Sequence, residues 1–396
     1  MGKLKILYVI NSSHKKAGGG HFYSLQTLTD SLKPFVDFKI LNVGLVHADA
    51  LKNNISSDYI KITKLNFLFQ IPKLSRYVRE YHPDIIHCFD TGSVSIMRTV
   101  NIFIKKPLVF SKCGGINGGR FIQDADAYIN FSEENSDHFR KYKRNDNTIF
   151  TLPNRANLIK SDLKRINELR VQYAISNDEK LIVRISRFHE LHERSIMQAL
   201  ALLKLIIDSN FSKKYKLLLI GMPQSPDVIQ RIIKAAEGYP VQIITEQKFT
   251  NRASELLDMA DIIVGTGRGV MEAASLNKIL FAPVQNSVYP APVNEENLTS
   301  MMYYNFSERN KREKVTSTEI LNHLEKDEEI IKLYSGRIFS KYFDIDAVVY
   351  EYLKIYKTTT HQGLNIKSLA NYLNDVIRFL KPKFISKNFY SKNINR

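Results

Sequence analysis

The 396-residue chain contains only two cysteines, Cys88 and Cys113. That is too few for a disulfide framework or a zinc site, and it points to a reducing compartment. No stretch approaches the roughly 20 consecutive apolar residues that a spanning helix needs. Met1-Gly2-Lys3 leads straight into a strand-like segment, so a secretory leader is not expected and the expected location is cytoplasmic. The chain shows no zinc-finger spacing, no RNA-recognition aromatic signature and no clear helix-turn-helix, which sets nucleic acid aside as a partner. It has no Gly-Lys-Ser/Thr phosphate loop, which argues against a kinase or ATPase of that kind. The histidines at positions 14, 21, 82, 87, 189 and 192 follow no metal-ligand spacing on one helix, and no repeat of solenoid length occurs. No metal is therefore expected.

What is present suits two domains, since the chain is too long for one ordinary core. An apolar content of 44% with 24% charged residues is that of an ordinary globular protein, not a disordered one. The formal net charge of +17 leaves three classes of partner: nucleic acid, an anionic membrane surface and polyphosphorylated small molecules. The first is already disfavoured.

The pattern along the chain is strand, glycine loop, helix. Leu4–Ile10 reads as a buried strand, followed by a polar loop, Gly18-Gly19-Gly20, and a helical stretch ended by Pro34. Short apolar runs then recur at 38–43, 84–89, 108–110 and 127–131, with a helix at 71–81, as buried parallel strands do. Ser132 before Glu133 and Glu134 predicts a capped helix start, preferred over an acid/base pair. Beyond Pro153-Asn154 a second series begins: 181–185, 217–221, 241–244 and 262–265, and the chain is largely helical from 283 to about 356.

The sharpest local signal is Asp261-Ile262-Ile263-Val264-Gly265-Thr266-Gly267-Arg268-Gly269-Val270-Met271-Glu272-Ala273-Ala274. An apolar strand enters three alternating glycines and then a helix. Such a junction lets backbone approach a ligand and presents unpaired N–H groups at the positive end of the helix dipole, which suits a diphosphate. Gly265, Thr266, Gly267, Arg268, Gly269 and Val270 are thus donor-site candidates. Glu272 is expected in the first helical turn, within reach of a ribose. The competing explanation is a tight turn whose glutamate offsets the dipole. The second signal is Arg184-Ile185-Ser186-Arg187-Phe188 at the end of a predicted strand, where Arg187 offers a forked donor for phosphate oxygens.

The order of these segments resembles the retaining GT-B glycosyltransferases of the family 4 type (glycosyltransferase group 1) over nearly the whole chain to about Tyr356. Gly18–Gly20 resembles the family's acceptor-side loop, Pro83-Asp84-Ile85-Ile86-His87 its Pro-Asp-Ile-Ile-His strand and Leu152-Pro153-Asn154 its inter-domain linker. Ser186-Arg187-Phe188 resembles its Gly-Arg-Leu segment, 260–273 its donor-site block, and 339–356 its closing helices. The resemblance implies an α/β fold with two Rossmann-like, doubly wound domains facing a central cleft: 1–160 for the acceptor, 161–335 for the nucleotide-sugar donor, 336–358 as helices crossing back and 359–396 as a basic tail. It implies a hexosyltransferase that moves a sugar with retention from a nucleotide-diphosphate sugar to a glycan or lipid-linked acceptor in bacterial surface polysaccharide synthesis, with no cofactor. Arg187 and Glu272 carry over as catalytic candidates.

The departures are specific. Val264 stands where the family has the first of two glutamates, leaving Thr266 and Arg268 as candidates to recognise the sugar. The family's lysine after Gly-Arg-Leu is missing; His192 falls near it, with Arg194 as another source of charge. Lys112 and Cys113, in a loop carrying Gly114, Gly115, Gly118 and Gly119, occupy the place of a histidine near the sugar, so both join the catalytic candidates. Asp124-Ala125-Asp126 and Asp344-Ile345-Asp346 are assigned to turns and caps. Two rivals stay open: a nucleotide-sugar epimerase of the same fold, and a non-catalytic nucleotide-binding homologue in a polysaccharide assembly complex. The tail, with Ile366, Leu369, Leu373, Ile377 and Leu380 at helical spacing before Lys381, Lys383 and Lys387, is a candidate for peripheral contact with an anionic membrane.

Overall fold

The computed structural model describes residues 2–12, 19–52, 54–63, 66–118, 122–142, 146–209, 211 and 213–363. The basic tail from residue 364, Gly18 and Gly119 lie outside the described residues. The chain divides into two compact units: residues 1–129, 138–150 and 351–396, and residues 130–137 and 151–350.

The first sheet has seven strands in the order β3-β2-β1-β4-β5-β6-β7. Its elements run β1 (Leu4–Ser12), α1 (Gly20–Leu32), β2 (Val36–Gly44), β3 (Ser57–Lys61), α2 (Phe67–Tyr81), β4 (Ile85–Cys88), α3 (Thr91–Ile104), β5 (Leu108–Lys112), β6 (Ala127–Asn130), α4 (Glu133–Tyr142) and β7 (Ile149–Thr151). β1 pairs in parallel with both β2 and β4. Ile6 through Ile10 are all 0% exposed, the signature of a central strand covered on both faces. Ser132 accepts the Asn135 N–H at 3.4 Å at the start of α4, as the capping explanation requires. Glu134 pairs with Arg309 at 2.8 Å and Glu133 accepts the Thr151 hydroxyl, so neither glutamate serves as half of an acid/base pair.

The second sheet has the order β10-β9-β8-β11-β12-β13. After α5 (Leu163–Gln172) come β8 (Lys180–Ile185), α6 (Glu190–Asp208), β9 (Tyr215–Ile220), α7 (Pro226–Ala236), β10 (Val241–Ile244), α8 (Gln247–Thr250), β11 (Ile262–Val264), α9 (Arg268–Ala274), β12 (Ile279–Ala282) and β13 (Ala291–Pro292). Helices α10 (Leu298–Tyr303), α11 (Ser317–Leu324), α12 (Glu328–Ile338) and α13 (Val349–Thr358) follow. Leu181–Val183, Leu217–Ile220, Val264 and Phe281 form the centre of one apolar core. From Glu351 the chain belongs to the first unit, where the Tyr356 hydroxyl meets His87 Nδ1 at 2.8 Å and Tyr8 Oη at 3.2 Å. His87 Nε2 in turn meets Ser111 Oγ at 2.7 Å, and burial pushes the His87 pKa down to about 3. A neutral imidazole therefore ties β4, β5 and α13 together. Among the described residues, no helix is long and apolar enough to cross a membrane.

Candidate functional site

The two signals in the second half of the sequence sit on adjacent strands. β8 and β11 pair in parallel, with Ile182 opposite Ile262 and Val183 opposite Ile263. Parallel neighbours end on the same side of a sheet, so Ser186–Phe188 and Gly265–Arg268 emerge next to each other at its carboxyl edge.

The segment carrying Arg187 is held on both sides. The Ser186 N–H donates to Ile220 O at 2.9 Å and the Phe188 N–H to Met222 O at 3.0 Å, while Phe188 is fully buried. A Cβ at Gly221 would stand 1.5 Å from Ser186 O, so only glycine allows β9 to approach this closely. From this clamped backbone the exposed Arg187 donates through Nη2 to His192 Nε2 at 3.2 Å. Burial, then repulsion from Arg184, Arg187 and His189, pushes the His192 pKa down to about 3. His192 is thus a neutral acceptor at pH 7 and does not replace the missing lysine charge. Arg194 is engaged elsewhere through one of its nitrogens: its Nη1 donates to Glu308 O at 3.3 Å.

In the glycine turn, three of the expected amides are already used. Gly265 N–H donates to Phe281 O at 2.8 Å, Gly269 N–H to Thr266 O at 3.0 Å and Val270 N–H to Gly267 O at 3.2 Å. Gly265 is glycine for packing, because a Cβ there would lie 2.8 Å from Val270 Cγ2, and Val270 itself is 0% exposed. Both serve the core rather than a ligand. Gly267 caps α9 at φ +51°, a conformation that favours glycine. Among the described residues, the N–H groups of Thr266 and Gly267 have no hydrogen-bond acceptor.

Glu272 is the fifth residue of α9 and lies in its second turn, not the first as expected. Its carboxylate accepts Arg268 Nε at 2.6 Å, and Arg268 Nη1 bonds the Arg155 carbonyl. This i,i+4 pair locks the turn from behind. Val264, at the position of the absent glutamate, is wholly buried in β11.

Arg184 is the residue that sequence reasoning passed over. It lies inside β8, is 2% exposed, and donates through Nη2 to Ser195 Oγ at 2.7 Å and Thr266 Oγ1 at 3.3 Å. It therefore joins the two signals directly. A lone cation in the run Leu181-Ile182-Val183-Arg184-Ile185 was the available clue.

The remaining candidates belong to the first unit. Gly19 caps α1 and Gly20 opens it. Lys112 Nζ donates to Ile116 O at 3.2 Å, and Cys113 Sγ to Phe89 O at 3.3 Å. Beside them, at the end of β4, Asp90 accepts the Asn11 and Ser93 N–H groups at 2.7 and 2.8 Å, and burial lifts its pKa to about 6. Asp124 pairs with Arg98 at 3.1 Å and Asp126 accepts Leu108 N–H at 2.8 Å, which accounts for the Asp-X-Asp spacing structurally. Among the described residues, no group of three or more His, Cys, Asp or Glu side chains is placed to hold a metal ion.

No protein-family model matches the sequence, and no curated protein matches it either. Solved structures do. Anabaena HepE in complex with UDP and glucose superposes with a TM-score of 0.65 at 15% identity, over 90% of this chain and 100% of that one. A glycosyltransferase from Rickettsia africae superposes at 0.62 and 13% identity, over 92% and 100%. A candidate UDP-N-acetylglucosamine 2-epimerase from Listeria monocytogenes does so at 0.59 and 12%, over 90% and 96%. At these identities the likeness speaks to architecture, and the chain has the GT-B fold of two Rossmann-like α/β domains.

Proposed function

We propose that the chain is a glycosyltransferase that uses a nucleotide-diphosphate sugar and transfers the sugar with retention to a glycan or lipid-linked acceptor. The observation that carries this reading is the meeting of Arg187 and the Thr266 turn at one sheet edge, with Arg184 bonded between β8 and that turn. HepE, of the same fold, is seen with UDP and glucose, which supports a nucleotide sugar as ligand.

In the proposed mechanism, the bond from the anomeric carbon to the diphosphate breaks and the diphosphate leaves with the electron pair. Arg187 and the N–H groups of Thr266 and Gly267 meet the growing negative charge. Donors fixed in place before the reaction need no reorganisation, and removing one such donor typically costs about 10²–10³ in rate. The acceptor hydroxyl attacks from the same face, and its proton passes to the departing phosphate. Thr266 is the first candidate to recognise the sugar, since Arg268 and Glu272 hold each other. Lys112 and Cys113 are the acceptor-side candidates.

The Listeria neighbour keeps an epimerase in view as a second reading. A thermal-shift screen over UDP, GDP and ADP sugars identifies the donor, because a ligand stabilises the folded state by mass action. The identified donor is then incubated with and without acceptors. A glycosylated acceptor with the donor's anomeric configuration supports the proposal; an altered sugar from donor alone replaces it with epimerisation. Binding without either product favours a non-catalytic homologue.

A further inference from the structure

We propose that Arg184 is a positioning residue of the donor site, a buried cation that holds the Thr266 turn and strengthens diphosphate binding from beneath it. This rests on the donor-site reading above and names the charge that His192 fails to supply.

A guanidinium buried in a strand is costly unless its charge and all its donors are met. At Arg184 the neutral contacts are met: Nη1 donates to Ile185 O at 3.0 Å, and Nη2 to Ser195 Oγ and Thr266 Oγ1. The Nε finds no acceptor, and among the described residues no carboxylate lies within ion-pair distance of the guanidinium. Its acidic neighbour Glu308 accepts the Ser195 N–H at 2.9 Å and attracts Arg184 through space without forming an ion pair with it. Buried Arg98 in the first unit shows the usual solution, an ion pair with Asp124 at 3.1 Å.

The place for an ion-paired counter-charge lies where the ligand is proposed. Arg184 bonds the hydroxyl of Thr266, whose N–H has no acceptor, and Arg187 follows three residues along the same chain. Because Thr266 Oγ1 accepts from Arg184, its own hydrogen remains to be donated. A phosphate there would be bound by the turn and paired electrostatically with the guanidinium behind it. Such a charge is shielded from solvent, so salt screens it little.

The test is calorimetric binding to the full chain, native and substituted, of UDP, GDP and ADP and of their nucleosides, at low and high salt. For the nucleotide that binds, Arg184→Met is expected to lose affinity about tenfold or more, while the nucleoside changes by about twofold at most. Arg184→Lys restores most of the loss, and the loss persists at high salt. Equal losses for nucleotide and nucleoside, or none for either, overturn the proposal and leave the functional reading standing. If Arg184→Met does not fold, Thr266→Val removes the contact with the charge in place, and unchanged nucleotide affinity in that variant overturns it too. Native chain that binds none of the three nucleotides overturns both readings.

Discussion

At the end of β4 in the first sheet, Asp90 takes hydrogen bonds from Asn11 and Ser93, and Cys113 donates to the Phe89 carbonyl. At the end of β8 in the second, Arg187 has a neutral histidine for a partner, and Arg184 has two hydroxyls and a carbonyl. The first edge answers its polar groups from within its own unit. The second holds two guanidiniums that form no ion pair among the described residues, with Glu308 beyond Ser195. The same sheet architecture thus yields one edge whose buried charge is a carboxylate held by N–H donors and one that carries two guanidiniums. That difference, more than the glycines, is what the proposed phosphate site at the second edge rests on.

The comparison can be broken most decisively at Arg187. Arg187→Ala is expected to lower turnover about 10²–10³-fold, equivalent to about 3–4 kcal/mol, in steady-state transfer assays with the identified donor. Its binding loss should shrink at high salt, since Arg187 is exposed. A smaller effect on fold stability is expected at Gly221. Gly221→Ala places a Cβ against the Ser186 carbonyl, which is backbone and cannot swing aside. Denaturant midpoints should report a loss at the upper end of about 1–3 kcal/mol. Gly92→Ala, in the first unit, meets the Asn11 side-chain amide at 2.1 Å and Asp90 Oδ1 at 3.1 Å and should cost less, because both are side chains and not backbone.

The histidines sharpen the comparison by pH. Both His192 and His87 have folded pKa values of about 3, below the 6.5 of the unfolded chain. Between those limits the unfolded state takes up protons that the folded state refuses, so stability is full above pH 6.5 and falls as the pH drops towards 3. His192→Gln should flatten part of that fall in denaturant titrations at stepped pH. Above pH 6.5 the pH dependence of stability should be the same in both proteins. The smallest expected effect is at Cys113: Cys113→Ala should leave nucleotide affinity within about twofold while lowering transfer to the acceptor.

Much of this fold is legible in the sequence, because central parallel strands must be continuous apolar runs. Leu4–Ile10 and Leu181–Ile185 announce themselves in that way. β3, β7 and β13 do not, since edge strands of two to five residues bury too little to leave a pattern. Arg187 and the glycine turn are readable as motifs. The commitment of the Gly265 and Gly269 amides to backbone carbonyls is not, because it depends on β12 and on the turn's closure. Glu272 falls in the second turn because α9 already begins at Arg268, directly after Gly267, a start that the glycine pattern alone does not fix. The neutrality of His192 is a tertiary fact: it follows from burial beside Arg184 and Arg187, which lie eight and five residues away in the chain.

Hydrogen–deuterium exchange on the full chain, with and without the identified nucleotide, tests the central claim most directly. Two short segments should slow together on binding: the backbone after β8 around Arg187, and the N–H groups of Thr266 and Gly267. Protection confined to other segments, with both of these exchanging as in the free protein, would contradict the assignment of a diphosphate to this edge.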